Sequence, residues 1–453
     1  NAFDKMHNVS GMLLFNRSTE GQYDGGKVRA DHRYQGFTGQ FTYNFSDRYF
    51  AEFNFGYNGS ENFIKEKRYG FFPAGSIGWV LTNESFLSAT SSWMDFLKIR
   101  GSYGLVGSDK LPGGRFGYLQ FFEGGEGYSF GEGGYNTNPG GWREGALANR
   151  ALTWEKAKKL NIGLDANFLK QRLRLSFDYF TEDRYDILTE LKDDKLGFPD
   201  IVGKDAPRIN SGKVKNHGIE VEITWSDKIG RDFRYFIKPN FTFARNRVDF
   251  MNEVFYEYAW RRKTGKSLDV NMLYVFDHFV ADQAEADKLN AAGYQPWGTL
   301  IPEDAVYKDL DGDGVITDKN DRMAMGYPRS PEIQFGLPVT LQYKDFDFSV
   351  LFQGATNSNI MLKDAAVYDF PNFDQDKIGR VRPMHLDRWT PETAATAKYP
   401  ALHIGTHSNN KNEHSSLFKY DGSYIRLKNI EIGYTLPRKM IRVAGLSNVR
   451  VYA

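Results

Sequence analysis

The sequence predicts an all-β chain whose antiparallel strands build a transmembrane barrel. Three observations carry that prediction: side chains that alternate with period two, connections sorted by length, and an aromatic-rich yet polar composition. Phe, Tyr and Trp make up 15% of the 453 residues, and 45 are Gly, while the mean hydropathy is −0.54. A barrel wall with an apolar outer face and a polar inner face has that composition. No apolar run reaches the length of about 18 residues that a membrane-spanning helix needs.

The strands follow in order. Phe37, Gly39, Phe41, Tyr43 and Phe45 share one face, and Thr38, Gln40, Thr42 and Asn44 the other. After the polar turn Ser46-Asp47-Arg48, Tyr49, Ala51, Phe53, Phe55 and Tyr57 alternate with Glu52, Asn54, Gly56 and Asn58. Two such runs around a tight turn are a hairpin. The unit recurs at 160–179 around Lys170-Gln171, at 219–243 around Asp227-Lys228, and at 333–352 around Lys344-Asp345. The pattern predicts about thirteen crossings, the last incomplete. Phe53, Phe55, Leu164, Phe168, Val339 and Leu341 are assigned to lipid. Glu52, Asn54, Asp165, Asn167, Thr340 and Gln342 are assigned to the lumen.

Short connections near 46–48, 169–172, 227–232 and 344–345 alternate with long ones at 107–152, 188–215, 249–332 and 357–422, and turns of middle length stand at 82–94 and 437–447. Short turns on one rim and long loops on the other fit an outer-membrane barrel. A soluble β-sandwich also alternates, but nothing in it sorts loops by length, and long structureless loops are uncommon in compact domains. Tyr49, Tyr57, Trp79, Trp154, Tyr179, Trp225 and Tyr343 stand near strand ends, as interfacial girdle residues do. Ordinary strand packing is the other reading of each.

The charge excludes one class. With 58 basic and 57 acidic residues the formal charge is +1, too little to displace counterions from nucleic acid. No Cys is present, so disulfides, thiolate metal sites and cysteine nucleophiles are ruled out.

The sharpest local motif is the acidic loop 309–321. Asp309, Asp311 and Asp313 alternate, Gly314 permits a sharp turn, and Val315 can offer its carbonyl. These are calcium-loop features. The twelfth place holds Asn320 in place of the usual Glu, and the next carboxylate, Asp321, comes one residue late. The predicted shell is Asp309, Asp311, Asp313, Val315 and Asn320 or Asp321 around calcium. The alternative is a solvated acidic turn.

In the glycine-rich loop 107–152, Phe121, Phe122, Tyr128, Phe130, Tyr135 and Trp142 are candidates for stacking on substrate. Packing against neighbouring loops or a partner explains them equally. Gly265-Lys266-Ser267 lacks the leading glycine of a phosphate loop. Asp282 to Ala292 reads as a helix with Asp282 and Glu285 as a capping box and Gly293 as stop. His403, His407, Glu413 and His414 match no helical zinc spacing and read as a polar loop. No Ser/His/Asp set or paired acid stands out, so an enzyme is not expected.

Several segments resemble SusC-like TonB-dependent outer-membrane transporters of Bacteroidetes. They include Tyr34-Gln35-Gly36-Phe37, Gly70-Phe71-Phe72-Pro73-Ala74-Gly75-Ser76-Ile77-Gly78-Trp79, and Leu97-Lys98-Ile99-Arg100-Gly101-Ser102-Tyr103-Gly104. Leu152-Thr153-Trp154-Glu155-Lys156, Val214-Lys215-Asn216-His217-Gly218-Ile219-Glu220, Tyr307-Lys308-Asp309 and Gly433-Tyr434-Thr435-Leu436-Pro437 continue the order. The resemblance implies that residues 1–453 are the C-terminal part of a barrel of about 22 strands. An N-terminal plug, a TonB-contacting segment and the final strands are expected outside this sequence. It also implies import of oligosaccharides or oligopeptides, a SusD-like surface lipoprotein as partner, and energy from the TonB complex of the inner membrane. A passive porin and a soluble carbohydrate-binding or adhesion protein are the alternatives.

Overall fold

The computed structural model describes residues 2–4, 6–24, 27–111, 115–127, 140–189, 204, 206–253, 256–362, 383–402, 409 and 414–453. They divide into two compact units. Asn1–Val254, Phe335–Gln353 and Arg426–Ala453 form the first, and Phe255–Gln334 with Gly354–Ile425 the second.

The first unit is one 15-stranded sheet in which neighbours in space are neighbours in sequence. Its strands are β1 (Ala2–Asp4), β2 (His7–Asp24), β3 (Lys27–Phe45), β4 (Tyr49–Ser60), β5 (Tyr69–Val80) and β6 (Met94–Ser108). There follow β7 (Glu155–Phe168), β8 (Leu173–Thr189), β9 (Ile209–Ile229), β10 (Phe233–Ile237) and β11 (Asn240–Phe250). The last are β12 (Ile333–Tyr343), β13 (Phe346–Thr356), β14 (Tyr424–Thr435) and β15 (Arg450–Tyr452). β10 and β11 are two parts of one crossing. Pro239 separates them, because it has no N–H to give the ladder, yet its carbonyl still accepts from Ile223 at 3.0 Å.

The register lays the two faces out as rows. Val9, Tyr43, Ala51, Ile77, Gly101, Ile162, Tyr179 and Ile219 stand opposite one another across successive strands. One residue along, Ser10, Thr42, Glu52, Ser76, Ser102 and Asn161 form a polar row. Alternation at period two sends the first row to one face and the second to the other. The apolar row is the open one: Phe53, in the next row of that face, is 46% exposed and Ile77 71%. An apolar face left this open marks a contact surface for lipid or protein, and opposite a polar face it has the pattern of a membrane barrel wall.

The short connections at 46–48, 169–172, 230–232 and 344–345 all join strands at the same end of the ladder. Beside that end Tyr49 stacks between Phe45 and Trp79, with ring centroids 6.4 and 6.2 Å apart. The Tyr49 hydroxyl and the Trp79 indole nitrogen both donate to Glu84, at 2.7 and 3.0 Å. An apolar ring with a wet polar tip is what a girdle position asks for. Trp154 departs from the girdle expectation. It is 3% exposed and packs with Phe63, Phe72 and Leu152, because its ring meets Phe72 edge-on at 5.2 Å.

The second unit has its own core. Tyr274, Phe279, Ala305, Tyr307 and Ile316 come from the connection between β11 and β12, and Trp389 from the one between β13 and β14. The two long connections therefore pack on each other. One helix, α1 (Gln283–Ala291), stands where the capping residues predict. Asp282 accepts from the Glu285 N–H at 2.9 Å, and the Glu285 carboxylate accepts from the Ala281 N–H at 2.7 Å.

Candidate functional site

On the polar face of the first unit the strands bring charges together across the sheet. Arg100 on β6 lies opposite Gly163 on β7, and Gly163 opposite Asp178 on β8. A Cβ at Gly163 would sit 2.4 Å from the Arg100 guanidinium carbon. The bare glycine lets Arg100 cross its neighbour strand and donate to both oxygens of Asp178, at 2.6 Å each. Its Nε donates to Asp165 at 2.9 Å, and Ser176 donates to the other Asp165 oxygen at 2.8 Å. Glu52 accepts from Gln40 and Asn54 at 2.7 and 2.6 Å. Glu52, Ser76, Lys98, Arg100, Ser102 and Asn161 border a cavity of about 410 Å³. This wall presents paired charges and hydroxyls, a surface that water can cover.

The acidic loop of the second unit is well formed. Carboxylate oxygens of Asp309, Asp311 and Asp313 lie within 4.8 Å of one another. Gly312 and Gly314 adopt φ of +79° and +88°, a conformation that favours glycine, and both donate N–H to Asp309, at 2.7 and 2.8 Å. Burial works against the Asp309 charge, yet those two amides hold its carboxyl below the usual range. The N–H of Val315 donates to Asp313 at 2.9 Å.

Asn320 and Asp321 take different parts from these three. The Asn320 side-chain nitrogen donates to Asp311. Asp321 is fully buried and accepts the N–H of Leu310 at 2.8 Å and of Thr317 at 2.7 Å. It ties the two ends of the loop. Burial pushes its carboxyl up, the Thr317 and Leu310 amides oppose that, and the Asp311 charge adds to it. Three converging hard oxygen donors with excess negative charge fit a divalent cation; Asp309, Asp311 and Asp313 are the residues that would hold it.

The aromatic loop is placed only in part. Phe122–Gly125 and Gly141–Glu144 form a two-stranded ribbon with Gly124 opposite Trp142. Alternation did not reveal it, since glycines interrupt both runs. Trp142 is 79% exposed, and Phe121 and Phe122 are also open. Tyr128, Phe130 and Tyr135 lie outside the described residues, as do His403, His407 and Glu413. The carbonyl of His414 accepts the Tyr274 N–H at 2.7 Å.

Sequence reading did not find the Arg100–Asp178 pair. Its signal is a glycine in a polar row with opposite charges on either side, and that is visible only once the register is known.

The comparisons with known proteins bear on this wall of strands. The family described as TonB dependent receptor-like, beta-barrel matches residues 14–451. The chain belongs to that family. The large sheet is thus the wall of an outer-membrane β-barrel, and its exposed apolar face is the lipid face. A TonB-dependent receptor of Formosa agariphila is 28% identical over 443 residues, covering 91% of this chain and 40% of that protein. The TonB-dependent receptor SusC of Bacteroides thetaiotaomicron is 26% identical over 406 residues, covering 88% of this chain and 37% of SusC. The chain thus spans about 40% of the length of these TonB-dependent receptors. The structure of the RagAB peptide transporter superposes with a TM-score of 0.73 at 17% identity, over 100% of this chain and 49% of that one. That likeness shows a shared fold.

Proposed function

We propose that this chain is the wall of a TonB-dependent importer that carries oligosaccharides or oligopeptides across the outer membrane, together with a SusD-like surface lipoprotein. The family match over residues 14–451 carries the reading. The similarity to SusC supports it, and so does the fold shared with the RagAB peptide transporter. The wall contributes a wet inner face and recognition, with no catalytic step. A passive porin would share the wall but not the need for energy.

The lipoprotein is proposed from the long connections. Ordering chain costs roughly 1–2 kcal/mol per residue in backbone entropy, so ordered loops must pack on something. Two of the connections find part of that packing in each other, around Tyr307 and Trp389. Exposed Phe121, Phe122 and Trp142 have the chemistry of an interface core or a substrate platform. Copurification of the full-length protein in mild detergent tests this. A lipoprotein held over an interface above about 2,000 Å² is expected; a barrel that comes out alone with ordered loops contradicts it.

We further propose that the acidic loop binds calcium through Asp309, Asp311 and Asp313, with the Val315 carbonyl and the Asn320 side-chain oxygen completing the shell, while Asp321, whose two oxygens each accept a loop N–H, clamps the loop. Bound calcium would neutralise three carboxylates held close together. Calorimetric titration should show saturable calcium binding that Asp311→Asn with Asp313→Asn removes. A loop that melts at the same temperature with calcium and with chelator would show the ion to be absent.

A further inference from the structure

The lipid face of the first unit is not flat. Along one of its rows Tyr43, Ala51, Ile77, Gly101 and Ile162 stand side by side on successive strands. Large and small side chains alternate there, so Ala51 and Gly101 leave a hollow on either side of Ile77. A cavity of about 550 Å³ opens over them, bordered also by Tyr49, Trp79 and Ile99. That volume lies within the range of about 300–1,000 Å³ usual for small-ligand pockets. A Cβ built on Gly101 would have one contact within 4 Å among the described residues, the Asn161 carbonyl oxygen at 3.9 Å. No neighbouring side chain fills the space above that glycine.

The hollow runs up to the rim where the short turns lie. Ala51 is two residues, roughly 7 Å of strand, inside Tyr49. At the rim Arg48 lies 3.4 Å from Glu84, and its side chain is 36% exposed. Glu84 is the carboxylate that accepts from the Tyr49 hydroxyl and the Trp79 indole nitrogen. Both donors belong to the lipid face, so Arg48 and Glu84 stand on that side of the wall. The connection 81–93 leans the same way. Phe86 meets Trp79 edge-on with ring centroids 6.4 Å apart, and Trp93 stacks on Phe168 of the lipid face at 5.8 Å. Phe86 still leaves 64% of its surface open, at the height where aromatic rings meet headgroups.

We propose that this hollow binds one phospholipid of the periplasmic leaflet, with an acyl chain over Ala51 and Gly101 and the phosphate accepting from Arg48. The short turns put this rim on the periplasmic side, and the hollow is continuous with the lipid face. An apolar channel that ends in a surface cation has the order of an acyl chain and its headgroup. A chain in the hollow touches protein beneath it and on both flanks, so it gains more dispersion contacts than a chain laid on a flat wall. The Arg48 guanidinium carries five N–H donors, enough to hold Glu84 and a phosphate together, and such charge-assisted bonds are the strong ones. The proposal rests on the barrel wall and not on the import reading.

The test uses the full-length protein extracted in mild detergent, with native mass spectrometry counting the phospholipids that stay bound. At least one is expected. Gly101→Leu fills the hollow from a position with room for its side chain, and should lower the count by one while heat-modifiable migration shows a folded barrel. Should it fail to fold, Ala51→Leu carries the same test. Leu337→Phe, on the lipid face of β12 and outside the strands that border the hollow, should leave the count unchanged. Delipidated protein is then given dioleoyl phosphatidylethanolamine or dioleoylglycerol, which has the same chains and no phosphate. The phospholipid should bind about tenfold more tightly, and Arg48→Gln should bring the two level. The site is overturned by no retained phospholipid, by an unchanged count in a folded Gly101 or Ala51 variant, or by an equal loss in Leu337→Phe. Equal binding of the two lipids to the wild type, or a preference that survives Arg48→Gln, overturns the phosphate contact.

Discussion

Phe53 and Asn54 are adjacent in β4 and face different media. Phe53 is exposed on the apolar face, while Asn54 turns to the polar face and donates to Glu52. Phe53→Arg would put a charge into hydrocarbon at a cost of about 2–4 kcal/mol near the midplane, whereas Asn54→Arg should cost far less. Heat-modifiable migration of the folded barrel after outer-membrane extraction measures this. Equal loss of folded barrel at both positions would reverse the face assignment. Gly163 tests the polar face in the same way. Gly163→Val places atoms where the Arg100 guanidinium passes, and overpacking of that kind costs about 1–3 kcal/mol. Arg100→Ala should relieve most of the penalty in the double variant; no relief would mean the glycine serves another purpose. The face of each residue was legible in the sequence because period two needs no distant partner. The Arg100–Asp178 pair was not, because it depends on which strands lie side by side.

Among elements, α1 shows how much local chemistry alone can specify. Asp282, Glu285 and Gly293 mark its ends in the sequence, and the structure ends it there, with Gly293 at φ +64°. Asp282→Ala should cost about 1 kcal/mol of local stability, read as faster amide exchange over 283–291. That His278 joins the cap was not legible in the sequence, because the contact depends on how the preceding strand meets the helix. Its ring nitrogens lie 2.8 Å from Asp277 and 3.0 Å from Glu285. Burial works against the charged ring, but these carboxylates outweigh it and raise the pKa above the ordinary value. A raised folded pKa means that the contribution is fully present below the unfolded pKa, about 6.5, and is lost as pH rises through the folded value. Intrinsic-rate-corrected protection of α1 should therefore fall as pH rises above about 6.5, and His278→Gln should flatten that change. A profile that rises with pH would contradict the pairing. The acidic loop was legible as a loop, since alternating Asp and Gly dictate it. That Asp321 would tie its ends was not, because only burial separates a clamp from a ligand.

At the scale of the whole molecule, the strand order and the sorting of connections followed from periodicity. The core of the second unit did not, because Tyr307 and Trp389 lie in different connections and neither carries a repeating pattern. In that core two long connections partly satisfy each other, so a SusD-like partner would sit on what stays exposed, Phe121, Phe122 and Trp142 among it. The central claim is energised import, and uptake by whole cells tests it most directly. Cells carrying the full-length protein, and cells deleted for it, are given labelled oligosaccharide and oligopeptide mixtures with and without a protonophore. Uptake of one mixture should need the protein and stop when the proton gradient collapses. Uptake that needs the protein but continues without the gradient would make this wall a passive pore.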